Sequence, residues 1–150
     1  MTRTDFEVLR DLPDKTIRQD IRLTRRQGTL PALVVEGIRI ENSQGVDLRM
    51  NISYNPEVGS KTINVIVPGS GPICRLDVDG PAHRPVGRCH KHSLQNERCP
   101  DRNLADSVAD RTDLEGRSLR EVFDDFCRRA AITHVGIFFA PDEPDGGAQP

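Results

Sequence analysis

Residues 46–54 read VDLRMNISY, and the alternation in this stretch decides the fold class that the sequence predicts. Every second residue is apolar, whereas the residues between them are charged or polar. The apolar residues would share one face of an extended chain: Val46, Leu48, Met50, Ile52 and Tyr54. Sustained alternation of this kind is typical of an antiparallel strand that buries one face and leaves the other in water.

Turn residues separate this strand from two further apolar runs. Residues 55–60 (NPEVGS) lead into a run over 61–67, and residues 68–72 (PGSGP) lead into another over 73–79. The PGSGP turn lacks the lysine and Ser/Thr of a Walker motif and precedes a strand, so it does not predict a phosphate loop.

The segment before the central strand predicts a hairpin. Residues 20–24 alternate between apolar and polar, and residues 32–41 are rich in valine and isoleucine. A helix over 15–27 is the alternative, but its apolar residues are poorly spaced for one helical face.

Residues 118–130 carry the clearest helical pattern. Ser118 and Glu121 have the spacing of a capping box, in which each satisfies a free amide of the other. The apolar residues that follow form one continuous helical face: Leu119, Val122, Phe123, Phe126, Cys127 and Ala130. We expect this helix to cover the apolar face of the sheet.

Shorter elements are predicted nearer both ends of the chain. Thr4 and Glu7 repeat the capping-box spacing and predict a short helix over about 4–12 that ends near Pro13. Residues 132–140 predict one last short strand.

These elements together predict a single α+β domain over residues 1–140. Its sheet is an antiparallel β-meander of about four or five strands, with the C-terminal helix packed on one face and a short N-terminal helix. Residues 141–150 (PDEPDGGAQP) are too rich in proline, glycine and acid to pack, so we expect a disordered tail.

The composition excludes several classes of function. The formal net charge of −2 gives no overall attraction to nucleic acid or anionic lipid, although arginine greatly outnumbers lysine among the 21 basic residues. Any recognition of anions must therefore be local. No apolar stretch approaches the roughly 18–20 residues that span a bilayer, and MTRTDFEVLR at the start lacks a signal-peptide core. We expect a cytoplasmic protein that does not bind membranes.

The four cysteines include no CxxC pair, so they predict neither a zinc ribbon nor a thioredoxin motif. In a reducing compartment they should be thiols. Cys74 has the apolar parity of its strand and Cys127 lies in the helical stripe, so both are predicted to be core residues. Cys89 and Cys99 flank the histidine-rich segment and have no such explanation.

Three of the four histidines lie in residues 75–92, RLDVDGPAHRPVGRCHKH. The parity of the strand over 73–79 places Arg75, Asp77 and Asp79 on its polar face. The segment that follows therefore begins beside a row of charged groups.

The H-x-H pair gives this segment a second set of polar groups. If residues 89–93 are extended and fold back beside the preceding strand, His90 and His92 lie on one face, close to Asp77. The fourth histidine, His134, has no clustered partner residues, so we predict that it is a core or rim residue.

Three interpretations of the histidine segment remain open. As a metal site, His90 and His92 with His83 or Asp77 would suit zinc or another divalent cation. As a metal-free site, one imidazole acts as base and another as acid, Asp77 orients a ring and Arg75 or Arg88 holds a phosphate, which suits RNA cleavage. The third interpretation is a solvated polar loop, because H-x-H alone is a weak motif.

The segment RLDVDGPAHRPVG followed by H-x-H resembles a motif in a family of small uncharacterised bacterial and prophage proteins. Its members show R-L-D-x-x-G-P-x-H, then a spacer, then H-x-H. TDFEVL near the start and TDLEGRSLREVFDDFCRRAAI extend the resemblance over most of the chain. It implies that the family's site falls on Asp77, His83, His90 and His92.

A more distant resemblance is to toxins of a bacterial toxin–antitoxin class, which carry an acidic residue before a histidine-rich stretch in a small α+β frame. It implies a toxin-like ribonuclease, a hydrolase or phosphotransferase, with a cognate antitoxin as partner and RNA as substrate. The alternative is a non-enzymatic interaction protein that holds a structural or regulatory metal ion, such as zinc, at the histidine segment.

Overall fold

The computed structural model describes residues 3–26, 28, 31–80, 90–93 and 108–143. Two helices, α1 (Arg3–Asp11) and α2 (Leu119–Arg129), lie in these ranges, together with a 3-10 turn at Thr112–Leu114. Neither helix is long and apolar enough to cross a membrane. The strands in chain order are β1 (Lys15–Ile17), β2 (Ile21–Arg22), β3 (Thr24–Arg25), β4 (Leu33–Ile40), β5 (Leu48–Tyr54), β6 (Lys61–Val67), β7 (Gly71–Val78), β8 (His90–Ser93), β9 (Val108–Asp110), β10 (Ile132–His134) and β11 (Phe138–Phe139).

Seven strands form one antiparallel sheet in the order β3-β4-β5-β6-β7-β8-β9, so neighbours in the chain are neighbours in the sheet. Five of them, β4 to β8, have four or more residues, and the shorter β3 and β9 lie at the two edges. With the two helices, the described chain has an α+β fold, as the alternation in residues 46–54 predicts. The segment from β1 to β3 is extended, which excludes the alternative helix over 15–27.

The sheet buries one face, which we call the core face. Buried and partly exposed residues alternate along the whole of β5 and β6. Leu48, Met50 and Ile52 are at most 1% exposed, and the apolar residues of α2 belong to the same buried cluster. Because side chains alternate along a strand, burial of this set forces the residues between them onto the opposite side, the polar face.

The predicted capping box begins α2. The backbone N–H of Glu121 donates to Ser118 Oγ at 3.2 Å, and that hydroxyl donates to Glu121 Oε1 at 3.1 Å. The carboxylate of Asp142 also accepts from the backbone N–H of Leu119 at 2.8 Å. Glu143 forms two hydrogen bonds with Arg120, at 2.7 and 3.1 Å. The first residues of the predicted tail therefore contact the N-terminus of α2, whereas residues 144–150 lie outside the described ranges.

A buried lysine holds the end of α1. Lys15 is 1% exposed, and its Nζ donates to the carbonyl oxygens of Leu9, at 3.1 Å, and Arg10. These carbonyls belong to the last turns of the helix, where free acceptors and the helix dipole favour a cation. Burial lowers the pKa of the Lys15 ammonium group. At its other end α1 begins at Arg3, so Thr4 lies inside the helix and is not the predicted N-cap.

Two pairs of short parallel strands join the segment after α1 to the segment after α2. β1 pairs with β10, and β2 pairs with β11. The strand predicted over 132–140 is thus split in two and does not join the seven-stranded sheet. A single bridge between Thr16 and Glu41 connects β1 to the end of β4.

A buried carboxylate joins the 3-10 turn to α2. Asp125 accepts hydrogen bonds from Arg111 Nη2 at 2.9 Å, Arg128 Nη2 at 2.7 Å and Arg129 Nε at 3.2 Å. Arg111 also donates to both carboxylate oxygens of Asp113. This hydrogen bonding raises the pKa of Arg111 and lowers that of Asp113. Asp125 therefore holds the 3-10 turn to α2, whereas Asp113 is an exposed partner of Arg111.

Gly136 lies between β10 and β11, so a substitution there tests how closely this segment packs against the segment between β1 and β2. Its φ is +138°, and a Cβ atom built there would lie 2.7 Å from the carbonyl oxygen of Gln19. We expect Gly136→Ala to lower the free energy of unfolding by about 2–4 kcal/mol, because a strained backbone and a backbone clash add together. Urea unfolding followed by circular dichroism measures the loss.

Gly59→Ala is the matched control for this prediction. Gly59 has a φ of +77°, and no atom lies within 4 Å of an added Cβ, so only the backbone strain remains. We expect a loss of about 1 kcal/mol. Equal losses in the two variants would show that the close approach of Gly136 to Gln19 contributes nothing.

Candidate functional site

The strand register arranges the residues of the polar face in rows that cross the sheet. Residues directly opposite each other in antiparallel strands have Cβ atoms about 4.5–5.5 Å apart and can interact. The first row crosses all seven strands, each member lying opposite the next: Thr24, Val34, Ser53, Thr62, Asp77, His90 and Asp110. From Ser53 onwards every member of this row is polar or charged.

A second row runs beside the first, two residues away along each central strand. Its members are Asn51, Asn64, Arg75, His92 and Val108. At the β4 side this row meets a bulge, where the backbone N–H of Gly37 donates to Asn51 Oδ1 at 2.8 Å. The two rows therefore bring Arg75, Asp77, His90 and His92 to four adjacent register positions.

Asp77 is held tightly although it lies on the polar face. It is 7% exposed, and its Oδ1 accepts a hydrogen bond from Thr62 Oγ1 at 2.7 Å. Arg75 donates to the same carboxylate through Nε, at 3.0 Å to Oδ2, and through Nη2, at 3.1 Å to Oδ1. Such charge-assisted, two-point contacts fix both the carboxylate and the plane of the guanidinium group.

Arg75 combines this fixed orientation with access to solvent. Its side chain is 48% exposed, in contrast to the 9% of its partner Asp77. A guanidinium group has five N–H donors, and Asp77 engages only one edge of it. The remaining donors of Arg75 can meet a phosphate oxygen at the surface of the sheet.

The backbone of β8 follows the fold-back that the sequence predicts for residues 89–93. β8 pairs antiparallel with β7, with His90 opposite Asp77 and His92 opposite Arg75. The predicted site residue His83, and also Arg88, Cys89 and Cys99, lie outside the described residues.

Asp79 departs from the predicted parity. It follows the last residue of β7 and has a φ of +56°, which ends the alternation. Its carboxylate accepts from Lys61 Nζ at 3.2 Å and from the backbone N–H of Gly116 at 3.1 and 3.2 Å. Lys61 belongs to the buried set of β6, so Asp79 joins the end of the hairpin to the loop before α2 and does not share the polar face with Asp77.

Two residues of these rows were missed by reasoning from the sequence. Thr62 contacts Asp77, and Asn64 lies opposite Arg75 with its Oδ1 buried and without a hydrogen-bond partner in the described ranges. The parity of β6 opposite β7 could have identified both, because the same alternation that buries Ile63 and Val65 points these residues the other way.

The cysteines that the structure describes are not part of the site. Cys74 and Cys127 are buried, as their apolar positions in β7 and α2 predict. Burial raises the pKa of the Cys127 thiol to about 12, so it stays protonated and is a poor nucleophile. Within the described ranges, no group of three or more His, Cys, Asp and Glu residues is placed to hold a metal ion.

His134 has partners that belong to the fold. Its Nε2 lies 2.7 Å from the carbonyl oxygen of Gln19, and its ring meets Phe123 edge to face with 5.5 Å between centroids. The side chain therefore helps to join the parallel strands to α2, which agrees with the predicted rim or core role.

Comparison with known proteins found no matching family model, no matching curated protein and no matching solved structure. The assignment of function therefore rests on the rows of the polar face and on the chemistry of their residues.

The ion pair between Lys61 and Asp79 allows a test of whether Asp79 stabilises the fold. Both side chains are largely buried, at 5% and 11% exposure, so removal of the carboxylate leaves a buried ammonium group unpaired. We expect Asp79→Ala to lower the free energy of unfolding by about 3 kcal/mol, measured by urea denaturation.

Glu36→Ala is the matched control, because it breaks the exposed ion pair with Arg26. A change within about 0.5 kcal/mol is expected for that variant. If Asp79→Ala behaves like the control, Asp79 does not anchor the end of the hairpin.

Proposed function

We propose that the protein is a metal-independent ribonuclease of toxin-like character whose active site lies on the polar face at β7 and β8. The observation that carries the proposal is the register in which His90 lies opposite Asp77 and His92 lies opposite Arg75. Two imidazoles, a carboxylate and a guanidinium group on adjacent positions are the groups that acid–base cleavage of a phosphodiester requires.

The proposed reaction uses the 2′-hydroxyl of RNA as the nucleophile. One imidazole removes its proton while the oxygen attacks phosphorus, and the second imidazole, protonated, gives its proton to the departing 5′-oxygen. The P–O2′ bond forms as the P–O5′ bond breaks, so the products are a 2′,3′-cyclic phosphate and a 5′-hydroxyl. An imidazole can accept a proton when neutral and donate one when charged, so the two rings can take the two roles.

Asp77 and Arg75 have supporting parts in this mechanism. The buried carboxylate of Asp77 would accept the N–H of one histidine and hold the ring in the correct tautomer. Its hydrogen bonds from Thr62 and Arg75 hold it in place while it does so. The exposed donors of Arg75 would stabilise the negative charge that develops on the phosphate oxygens. His83 is a third candidate imidazole from the sequence motif.

The toxin-like character draws its support from the sequence resemblance. A ribonuclease of this kind would need a protein that blocks it inside the cell, so a cognate antitoxin is the proposed partner. Expression of the chain in bacteria should arrest growth, and replacement of the active-site histidines should relieve the arrest.

A second candidate is a non-enzymatic protein with a bound divalent metal ion. It is favoured by the register of the H-x-H pair, in which His90 lies opposite Asp77, so that an imidazole and a carboxylate occupy neighbouring positions on adjacent strands. The bidentate contact between Asp77 and Arg75 weighs against it, because a guanidinium cation would repel a metal ion at the same carboxylate.

We expect the chain to cleave single-stranded RNA in the presence of EDTA. His90→Ala and His92→Ala should each lower kcat/KM by about 10²- to 10⁴-fold, because each removes one partner of the proton transfer. The pH profile of the wild-type chain should be bell-shaped, because one group acts as base and the other as acid, and each variant should lose one limb of it.

His134→Gln is the control for these variants, because His134 contacts Gln19 and Phe123 and lies away from the polar face. Its activity should equal that of the wild type. Full activity of His90→Ala and His92→Ala would contradict the acid–base mechanism. Stoichiometric zinc in the purified protein, without RNA cleavage, would establish the metal-binding alternative.

A further inference from the structure

A pair of arginines, Arg39 and Arg49, lies on the polar face at the end of the β4–β5 hairpin. Arg39 lies directly opposite Arg49 in the register of these strands. Like charges at such positions repel each other, so the arrangement costs stability unless an anion compensates it. The fold supplies only part of that compensation.

One arginine of this pair is neutralised and the other is not. Arg49 donates through Nε to Asp47 Oδ1 at 2.6 Å and through Nη1 to the carbonyl oxygen of Gly37 at 3.2 Å. Arg39 is exposed and makes no ion pair with a carboxylate of the described chain. Glu41, which lines the same cavity, is engaged by Arg18 Nε at 2.7 Å. The pair therefore retains an excess of one positive charge.

A cavity of about 420 Å³ is lined by both arginines together with the turn that joins β4 to β5. A volume of this size admits a phosphate group with its attached sugars. Two guanidinium groups on paired strands, one of them without a carboxylate partner among the described residues, match the geometry and charge of a phosphodiester.

We propose that Arg39 and Arg49 form a phosphate subsite for single-stranded RNA, which lets the polar face hold a substrate that extends beyond the cleaved bond. This inference rests on the proposed ribonuclease function. Arg49 lies four residues from Ser53 along β5, or about 13 Å, and β5 lies about 10 Å from β7. The subsite is therefore about 16 Å from Asp77, which a dinucleotide cannot span but a dodecamer can.

The binding test uses a fluorescent, non-cleavable 2′-O-methyl uridine dodecamer and anisotropy at several salt concentrations. We expect R39Q/R49Q to weaken binding by about tenfold and to reduce the salt slope of log K by about 1.4, because each lost contact to a single strand accounts for about 0.7. D47N should strengthen binding, because it frees Arg49 from its internal partner.

R117Q is the control for charge removal away from the arginine pair: it removes one positive charge, against two in R39Q/R49Q, from an exposed ion pair with Glu121 at the start of α2. Its affinity for the dodecamer should equal that of the wild type. Equal affinity of R39Q/R49Q and R117Q would overturn the subsite. Tighter binding of polyglutamate than of the dodecamer, lost in R39Q/R49Q, would also overturn it and identify an acidic peptide as the occupant.

Cleavage assays separate this inference from the proposed function. With UpU as substrate, kcat/KM of R39Q/R49Q should equal that of the wild type. With an RNA dodecamer as substrate, kcat/KM of this variant should fall about tenfold because KM rises. Equal losses with both substrates would overturn the subsite, because the arginines would then act on the fold or the active site. If neither substrate is cleaved while dodecamer binding still depends on both arginines, the ribonuclease proposal fails and the phosphate subsite stands.

Discussion

The register of β5, β6 and β7 is the constraint on which the rest of the structure depends. Burial of alternate residues on the core face fixes this register, because a slip of one residue would turn Ile52, Ile63 and Leu76 into water and bury their polar neighbours. At roughly 25 cal/mol per Å² of apolar surface, such a slip would cost far more than the net stability of a typical domain of this size.

The register that buries the core residues also fixes the positions of the residues in the proposed active site. Once Leu76 is buried on the core face, Arg75 and Asp77 must face the other way, and the partners of β7 bring Thr62, on β6, and His90, on β8, to the same row. The proposed site therefore lies on paired strands and not on a loop, which suits chemistry that needs fixed distances between acid, base and phosphate. Asp77 is buried and accepts hydrogen bonds from Thr62 and Arg75, so its position is set before any substrate binds.

Local patterns in the sequence predict the central strands and the C-terminal helix, but they do not predict the pairing of strands that are distant in the sequence. Alternation identifies β5 and β7, and the capping box at Ser118 identifies α2, since each signal is contained within a few residues. The parallel pairing of β1 with β10 has no such signal, because it joins three-residue segments from distant parts of the chain. The prediction that Asp79 shares the polar face with Asp77 is wrong because the backbone of Asp79 has a positive φ, which ends the alternation of the strand. An aspartate in the sequence does not by itself indicate a positive φ. His90 could be placed beside Asp77 only conditionally, since its strand pairing depends on the chain folding back.

Cross-strand NOEs in a uniformly labelled sample test the central claim, the register between β7 and β8, most directly. Backbone contacts should connect Asp77 with His90 and Arg75 with His92. Contacts that instead connect Asp77 with Lys91 would place the imidazoles on the core-face parity, and the absence of any contact between the two segments would remove β8 from the sheet. Either result would contradict the account of a shared site on the polar face.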